Sequence, residues 1–348
     1  MLVLIIAHKY ILCQIKDPLF LRYNLSMPEL PEVTTTVNGL QQVLPGLRIT
    51  DAWTDLAKKT PSRKHFNDSL KSEIFYKKFK KEIVGAKVLS VERRAKNILI
   101  HLDPTSPKKG LRGAGNKTIL IHMKMTGHIM YGRYIYDLKK NEWIPAPGER
   151  EALFDPFNKF LHFVLSFSNK KQMVLSDMRK FAKVTLFPTS EISTILHLAH
   201  IGPEPLESSF TFTKFKERVL SRPHGNIKTV LMDQTIIAGI GNIYSDEMLW
   251  LAGIHPESQP AKVPLPQLRD LYNAMKKVLN KGIDFGGDST SDYRDIEGKR
   301  GKFQAEHNVY RRTKEKCGKK GCSGVILRKV INGRSAHFCN THQKLWRA

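Results

Sequence analysis

The chain has 348 residues, 41% of them hydrophobic, and carries 57 Lys+Arg against 32 Asp+Glu, for a formal net charge of +25 and a pI near 9.9. That length and apolar content suit two ordinary soluble domains, and no stretch approaches the roughly 18 uninterrupted apolar residues of a membrane-spanning helix. The excess of cations points to a polyanionic partner, nucleic acid first, with a ribosomal or RNA-associated protein as the plainer reading.

In chain order, "MLVLIIAHKYILC" has an apolar run but neither a basic leader nor a small-residue cleavage site, so a cytoplasmic protein is expected rather than a secreted one. Cys13 lies here and the other three cysteines crowd the C-terminus, which suggests a reducing compartment with a local metal site. The stretch "SMPELPEVTTT" then poses a chemical choice. Joined to Met27, Pro28 has an inert tertiary amide nitrogen; with translation from Met27 and loss of that methionine, Pro28 becomes a free secondary amine able to act as a nucleophile. Residues 1–26 are therefore expected to be an extension, mis-assigned or removed. A helix over 32–44 follows from the spacing of Val33, Val37, Leu40 and Leu44, and Pro45–Gly46 ends it.

Period-two alternation predicts strands over 87–102, 117–132, 159–169 and 171–187, with an exposed Gly/Pro/Lys-rich loop over 103–117. "IGPEPLESSF" at 201–210 reads as a linker. Helices are expected beyond it at 213–221, 226–232, 243–251 and 265–282, and a small basic cysteine-bearing unit from 303. Strands first and helices second give an α+β protein. The expected domains are 28–190, 200–300 and 303–346.

Three signals carry chemistry. Cys317, Cys322, Cys339 and His342 form Cys-x4-Cys-x16-Cys-x2-His, a set suited to one tetrahedral Zn²⁺, with a hairpin turning at Asn332–Gly333 across the long gap. Four protein ligands leave no open position, so the zinc is expected to be structural; His337 lies close by, but its spacing to Cys339 is poor for a competing ligand. In "DQTIIAGIGNIYSDE", Gly239 and Gly241 allow a tight turn into a helix whose first N–H groups and Asn242 could hold a phosphate, although such a turn is common between helices. The third signal is the Pro28 amine beside Glu29, a carboxyl placed to deliver a proton to a sugar oxygen. On composition alone, the same residues could merely cap the first helix.

Together, "MPELPEV", "RRAKNILI", "HMKMTG", "DMRKFA", "GPEPL", "DQTIIAGIGNIYSDE", "GGDSTSDY" and the hairpin with "GRSAHFC" resemble the formamidopyrimidine-DNA glycosylase family from Met27 to about Lys344. The resemblance implies a two-layer β-sandwich, a helix-two-turn-helix domain and a zinc hairpin, with duplex DNA across the cleft between them. It implies a monomeric bifunctional DNA glycosylase and AP lyase acting on oxidised purines, in which Pro28 forms a Schiff base with C1′ and Glu29 donates a proton. Lys96 matches the proton donor for β-elimination, Arg334 the phosphate-binding residue for δ-elimination, and Glu32 an acidic position that helps to order the site. Met125, Arg179 and Phe181 match the set that fills the gap left by an extruded nucleotide. Asn242, Lys228 and, more weakly, Lys159 match DNA contacts; Ser289, Thr290 and Tyr293 fall in the loop expected to close on the lesion.

The sequence departs from the family in four places. The finger usually reads Cys-x2-Cys twice, Phe160 stands where a histidine is common, Ala182 replaces a usual glycine, and the extension precedes Pro28. The rivals are an endonuclease VIII-like enzyme for pyrimidine lesions, a catalytically silent zinc-containing DNA-binding protein and an RNA-associated factor.

Overall fold

The computed structural model describes residues 27–59, 68–103, 115–290 and 292–347; the expected extension and Cys13 lie outside them. Helix α1, Leu30–Val43, opens the fold. Strand β1 (Ile49–Thr54) and helix α2 (Glu73–Ile83) follow, and then strands β2 (Lys87–Arg94), β3 (Asn97–Asp103), β4 (Lys117–His122) and β5 (His128–Gly132). A short hairpin, β6 (Tyr134–Asp137) and β7 (Glu142–Pro145), precedes β8 (Leu161–Phe167), β9 (Gln172–Ser176) and β10 (Lys183–Pro188). Two antiparallel four-stranded sheets, ordered β1-β8-β9-β5 and β10-β4-β3-β2, face each other. Between them Ile98, Ile100, Ile119 and Ile121 meet Phe163, Leu165, Met173 and Leu175. This is the expected α+β architecture with a sandwich at its start.

The apolar face of α1, Val33, Val37 and Leu40, with Leu44 just past its end, closes one end of this core. Leu30, one turn earlier, belongs to the second core, built by α3 (Phe212–Leu220), α4 (Ile227–Met232), α5 (Asn242–Ala252) and α6 (Leu265–Asp284). One helix thus takes part in both cores. The chain ends in the hairpin of β11 (Ile326–Ile331) and β12 (Arg334–Cys339), turned at Asn332 and Gly333, both at positive φ as a two-residue hairpin turn requires. No helix of the described residues is long and apolar enough to cross a membrane.

Three of the four stretches expected as strands are each divided by a turn. The first breaks at Ala95–Lys96, the second over 123–127 and the last over 177–182. Alternation continues through these turns, so the pattern hides them. Helix α2 and strand β1 were not expected either: only Phe79 and Ile83 of α2 are buried, too few for a periodic signal among its lysines.

A second link joins the two cores. Glu204, in the segment between them, accepts hydrogen bonds from Arg93 Nη1 (2.6 Å), Arg94 Nη1 (2.9 Å) and the Ala95 N–H (2.6 Å). Arg94 also donates to the Ile201 carbonyl at 2.7 Å. The turn that presents Lys96, with Ala95 held at φ 52°, is thus fastened to the helical half. Glu204 is 6% exposed, so removing it strands two half-buried guanidinium groups. Glu204→Ala is expected to cost about 3 kcal/mol, read as a lowered urea midpoint at unchanged slope.

Candidate active site and nucleic-acid interface

Glu29 precedes the first turn of α1, and its N–H donates to Glu32 Oε2 at 2.8 Å. Its own carboxylate reaches the start of α5, where Oε1 accepts from the Ile243 N–H at 3.0 Å and Oε2 from the Tyr244 N–H at 3.5 Å. The loop before α5 makes this approach possible. A Cβ on Gly241 would lie 2.3 Å from Glu29 Cδ, and one on Gly239, at φ 80°, would lie 2.7 Å from Leu30 Cβ. The Leu30 N–H donates to the Gly239 carbonyl at 3.1 Å. The two glycines of "GIGN" therefore admit the Pro-Glu-Leu segment against the helix.

Burial raises the Glu29 carboxyl above the ordinary glutamate range and outweighs Lys96, the two helix N–H groups and Lys228, which all favour the charged form. A protonated carboxyl is what a proton donor needs. Lys96 shifts the opposite way: burial lowers its ammonium, Glu29 and Glu32 oppose this, and Arg334 adds to it. A lysine so placed gives up its proton more readily than an exposed one.

A cavity of about 390 Å³ brings Glu29, Lys96, Met125, Arg179, Asn242 and Arg334 together. Arg334 is exposed at the hairpin tip. Asn242, the first residue of α5, donates from Nδ2 to Ser335 Oγ at 3.2 Å, joining helix to hairpin. Met27 lines the cavity, while Pro28, the next residue, is buried. Arg179 Nη1 lies 3.5 Å from Met125 Sδ, and its guanidinium sits 4.5 Å from the centre of the Phe181 ring. Phe181 is 45% exposed, a cost that a core residue would not carry. These three side chains form one projecting cluster at the cavity edge.

Other expected site residues are placed differently. Glu32, expected to help order the site, is 2% exposed and turned inward, away from any DNA: its Oε1 accepts from Tyr244 Oη (2.6 Å) and the Asp288 N–H (2.6 Å). Lys228 is 1% exposed and its ammonium is held by Asp246 Oδ1, Ser245 Oγ and the Asn242 carbonyl, so it faces the interior rather than a phosphate. Ser289 and Tyr293 are buried as well. Ser289 Oγ donates to the Tyr293 carbonyl at 2.7 Å, and Tyr293 Oη donates to the Glu32 carbonyl at 3.0 Å, which leaves neither on an open surface. Thr290 is half-buried, its N–H on Asp288 Oδ1 at 3.0 Å, beside a separate cavity with Gln304 and His307. Lys159 is exposed outside the main cavity, its ammonium 5.5 Å from the centre of the Phe160 ring. Tyr310, Arg328 and Ser335 line the cavity without having been expected. Tyr310 and Arg328 lie far from the glycine-rich and N-terminal motifs, and only folding brings them there.

The expected metal ligands do converge. The ligand atoms of Cys317, Cys322, Cys339 and His342 all lie within 4.8 Å of one another. The Trp250 indole N–H (3.4 Å), the Gly324 N–H (3.3 Å) and the Thr341 N–H (3.4 Å) point at the sulfurs of Cys317, Cys322 and Cys339 respectively. His342 Nε2 lies 3.0 Å from the Trp250 carbonyl, leaving Nδ1 turned to the cluster. His337, the possible competitor, is instead paired through Nδ1 with Asp246 Oδ2 at 3.0 Å. The donor set and its surrounding N–H groups fit a closed metal site.

Two family models match the chain: the formamidopyrimidine-DNA glycosylase N-terminal domain over 27–184 and the formamidopyrimidine-DNA glycosylase H2TH domain over 201–294. A formamidopyrimidine-DNA glycosylase of Pelotomaculum thermopropionicum is 34% identical over 319 residues, spanning 92% of this chain and all of the relative. One from Chloroflexus aurantiacus is 34% identical over 321 residues, 91% of this chain and 98% of the relative. Among solved structures, the Lactococcus lactis protein in complex with abasic-site DNA superposes with a TM-score of 0.70 at 29% identity, covering 91% of this chain and 99% of that one. The chain belongs to the formamidopyrimidine-DNA glycosylase family.

Burial, reinforced by the nearby Glu29, raises the Glu32 carboxyl to about 8, against an ordinary value of 4.5. The unfolded chain therefore releases this proton first as pH rises. The stabilisation is complete below the unfolded value and is lost as pH climbs through the folded one. Thermal melts should show stability falling between those limits, and Glu32→Gln, which stays neutral, should flatten that part of the profile.

Proposed function

We propose that this protein is a bifunctional DNA glycosylase and AP lyase that removes oxidised purines such as 8-oxoguanine and formamidopyrimidines from duplex DNA. The observation that carries the reading is the convergence of Glu29, Lys96 and Arg334 on one cavity that Met27, the residue before Pro28, also lines. A protein beginning at Pro28 would present a secondary amine there, among a proton donor, a lysine of lowered basicity and a phosphate-binding cation. The family membership supports the same activity. So does a solved relative, MutM bound to DNA containing carbocyclic 8-oxo-G, which covers 91% of this chain at 29% identity with a TM-score of 0.71.

In this mechanism the Pro28 nitrogen bonds to C1′ of an extruded nucleotide while Glu29 protonates the ring oxygen, and the base leaves. The sugar, now open, is held as an iminium. Loss of a C2′ proton, with Lys96 positioned to move protons, expels the 3′ phosphate, and a second elimination expels the 5′ phosphate, each leaving as an anion beside Arg334. Extruding the nucleotide costs a few kcal/mol of stacking, and Met125, Arg179 and Phe181 are placed to fill the gap. Asn242 at the start of α5 offers the backbone a hydrogen-bonding site.

The deciding measurement is borohydride trapping on a duplex containing 8-oxoguanine, using protein that begins at Pro28. A covalent complex is expected with the wild type and none with Pro28→Gly. Glu29→Gln should lower base release by at least about 100-fold, the usual scale of a general acid, while DNA affinity stays close to wild type. Full activity in Glu29→Gln, or in a chain whose N-terminal sequencing begins at Met1, would overturn the mechanism.

The Cys317, Cys322, Cys339 and His342 cluster is proposed to hold one structural Zn²⁺, which when bound fixes the base of the β11–β12 hairpin. Because such sites contribute folding energy directly, Cys317→Ser or prolonged chelation should weaken binding of lesion duplex at least about tenfold, with metal content falling in parallel. Unaltered affinity in metal-free protein would refute it.

A further inference from the structure

Beyond α6 the chain is fastened first to the helical half and then to the sandwich. On the helical side the Asp288 N–H donates to Glu32 Oε1, and the Ser289 N–H donates to Gln304 Oε1 at 2.9 Å, beside Phe303 of that core. On the sandwich side Arg294, 2% exposed, donates to Asp155 Oδ2 from Nε at 3.2 Å and from Nη2 at 3.1 Å. Its Nη1 donates to the Tyr293 carbonyl at 2.9 Å, and the guanidinium lies 5.0 Å from the centre of the Phe157 ring. Arginine is seldom fully buried unless it is paired, so this seat is specific. Asp155 also accepts the Phe157 N–H at 2.8 Å, which fixes the turn that receives the guanidinium.

The same leg continues along the sandwich. Tyr131, in the edge strand β5, donates its N–H to the Ile296 carbonyl at 2.8 Å. Gly298, at φ 83°, runs so close that a Cβ there would lie 2.7 Å from the Ala152 carbonyl oxygen. Asp292 stands between the two legs, buried, and its Oδ2 has no hydrogen-bond partner among the described residues. Burial raises its carboxyl to about 6; Arg294 and Arg179 oppose the rise and Asp177 adds to it. Arg179 belongs to the projecting cluster, so Asp292 stands beside the place where a nucleotide leaves the stack. The mechanism outlined above uses none of Asp155, Asp292 and Arg294.

We propose that Arg294 is a positioning residue for base release: seated on Asp155, it holds Asp292 and Tyr293 as a wall of the space that receives the extruded base. Arg294 touches no reacting atom. It acts through the backbone that runs from it into Tyr293 and Asp292, and anchorage on both halves keeps that wall in register with the wedge formed by Met125, Arg179 and Phe181. A damaged base carried out of the duplex needs the wall, whereas an abasic nucleotide brings no base to it. Loss of the anchor therefore separates two activities that share one set of catalytic groups. The inference rests on the DNA-repair reading given above.

The test follows two single-turnover reactions of protein beginning at Pro28: release of 8-oxoguanine from a duplex, and nicking of the same duplex carrying a preformed abasic site. Arg294→Met keeps the length of the side chain and removes its donors. It should slow base release at least about tenfold, since a small misplacement of a bound group costs up to about 100-fold, and leave abasic-site nicking close to wild type. Gly298→Ala, which pushes the same leg away from Ala152 without altering Arg294, should split the two substrates in the same way. In the wild type, which needs no substitution to fold, hydrogen exchange without DNA should find the Tyr131 amide protected by the docked leg. Equal losses on both substrates, undiminished release of 8-oxoguanine, or a freely exchanging Tyr131 amide would overturn the proposal. Wild-type protein that neither releases the base nor nicks would sink the enzymatic reading itself; an active wild type with unsplit variants sinks the positioning role alone.

Discussion

The carboxylate of Glu29, seated on the first N–H groups of α5, is the contact on which the arrangement of the site depends. It belongs to the start of one helix and satisfies the start of another, so this side chain is one of the links between the two cores. The geometry tolerates little else, because the glycine before α5 leaves no volume for a methyl group. Two N–H groups and the positive end of a helix would normally hold such a carboxylate ionised. Burial outweighs them here, and the group keeps its proton more tightly than an exposed glutamate.

The same division of labour recurs elsewhere in a chain whose cations far outnumber its anions. Glu204 gathers the hairpin of Lys96, Glu32 gathers the Asp288 loop and Tyr244, and Glu247 accepts the backbone N–H groups of Asn308, Val309 and Tyr310 on the way into the cysteine-bearing unit. Asp246 binds the His337 N–H and the Lys228 ammonium. Each of these carboxylates is buried and joins segments far apart in sequence. The acidic residues thus do the internal fastening, while Lys96, Lys124, Arg179 and Arg334 line the open cavities.

The parts of this design visible in the sequence are those whose logic is local. The three cysteines and His342 are legible as a cluster because their spacing, two close pairs across a hairpin, brings them near, and Asn332–Gly333 because that pair tolerates the left-handed backbone of a tight turn. Helices α3 and α6 show their buried faces as a regular repeat, whereas α5 is buried without a break from Ile243 to Trp250. What stayed hidden depends on contacts across the fold. Nothing beside Lys228 in sequence reveals that Asp246 will claim its charge, and "GPEPL" gives no sign that its glutamate faces Arg93, Arg94 and the Ala95 N–H. Ser289 and Tyr293 look like exposed loop residues, yet Gly301 and Glu32 draw them inward. The turns at Ala95–Lys96 and 177–182 escaped notice because alternation runs through them, although they carry the side chains that reach the cleft.

The β12 strand has its cleft-facing guanidinium at one end, Arg334, and a sulfur of the cysteine–histidine cluster at the other, Cys339. Five residues of extended chain put about 17 Å between them. Such a strand behaves as a lever: a tilt of about 6° at the cysteine end would carry the far end through nearly 2 Å, beyond the tolerance of a hydrogen bond. Angular rigidity at the pivot, more than any contact at the tip, therefore sets how accurately that cation can be aimed.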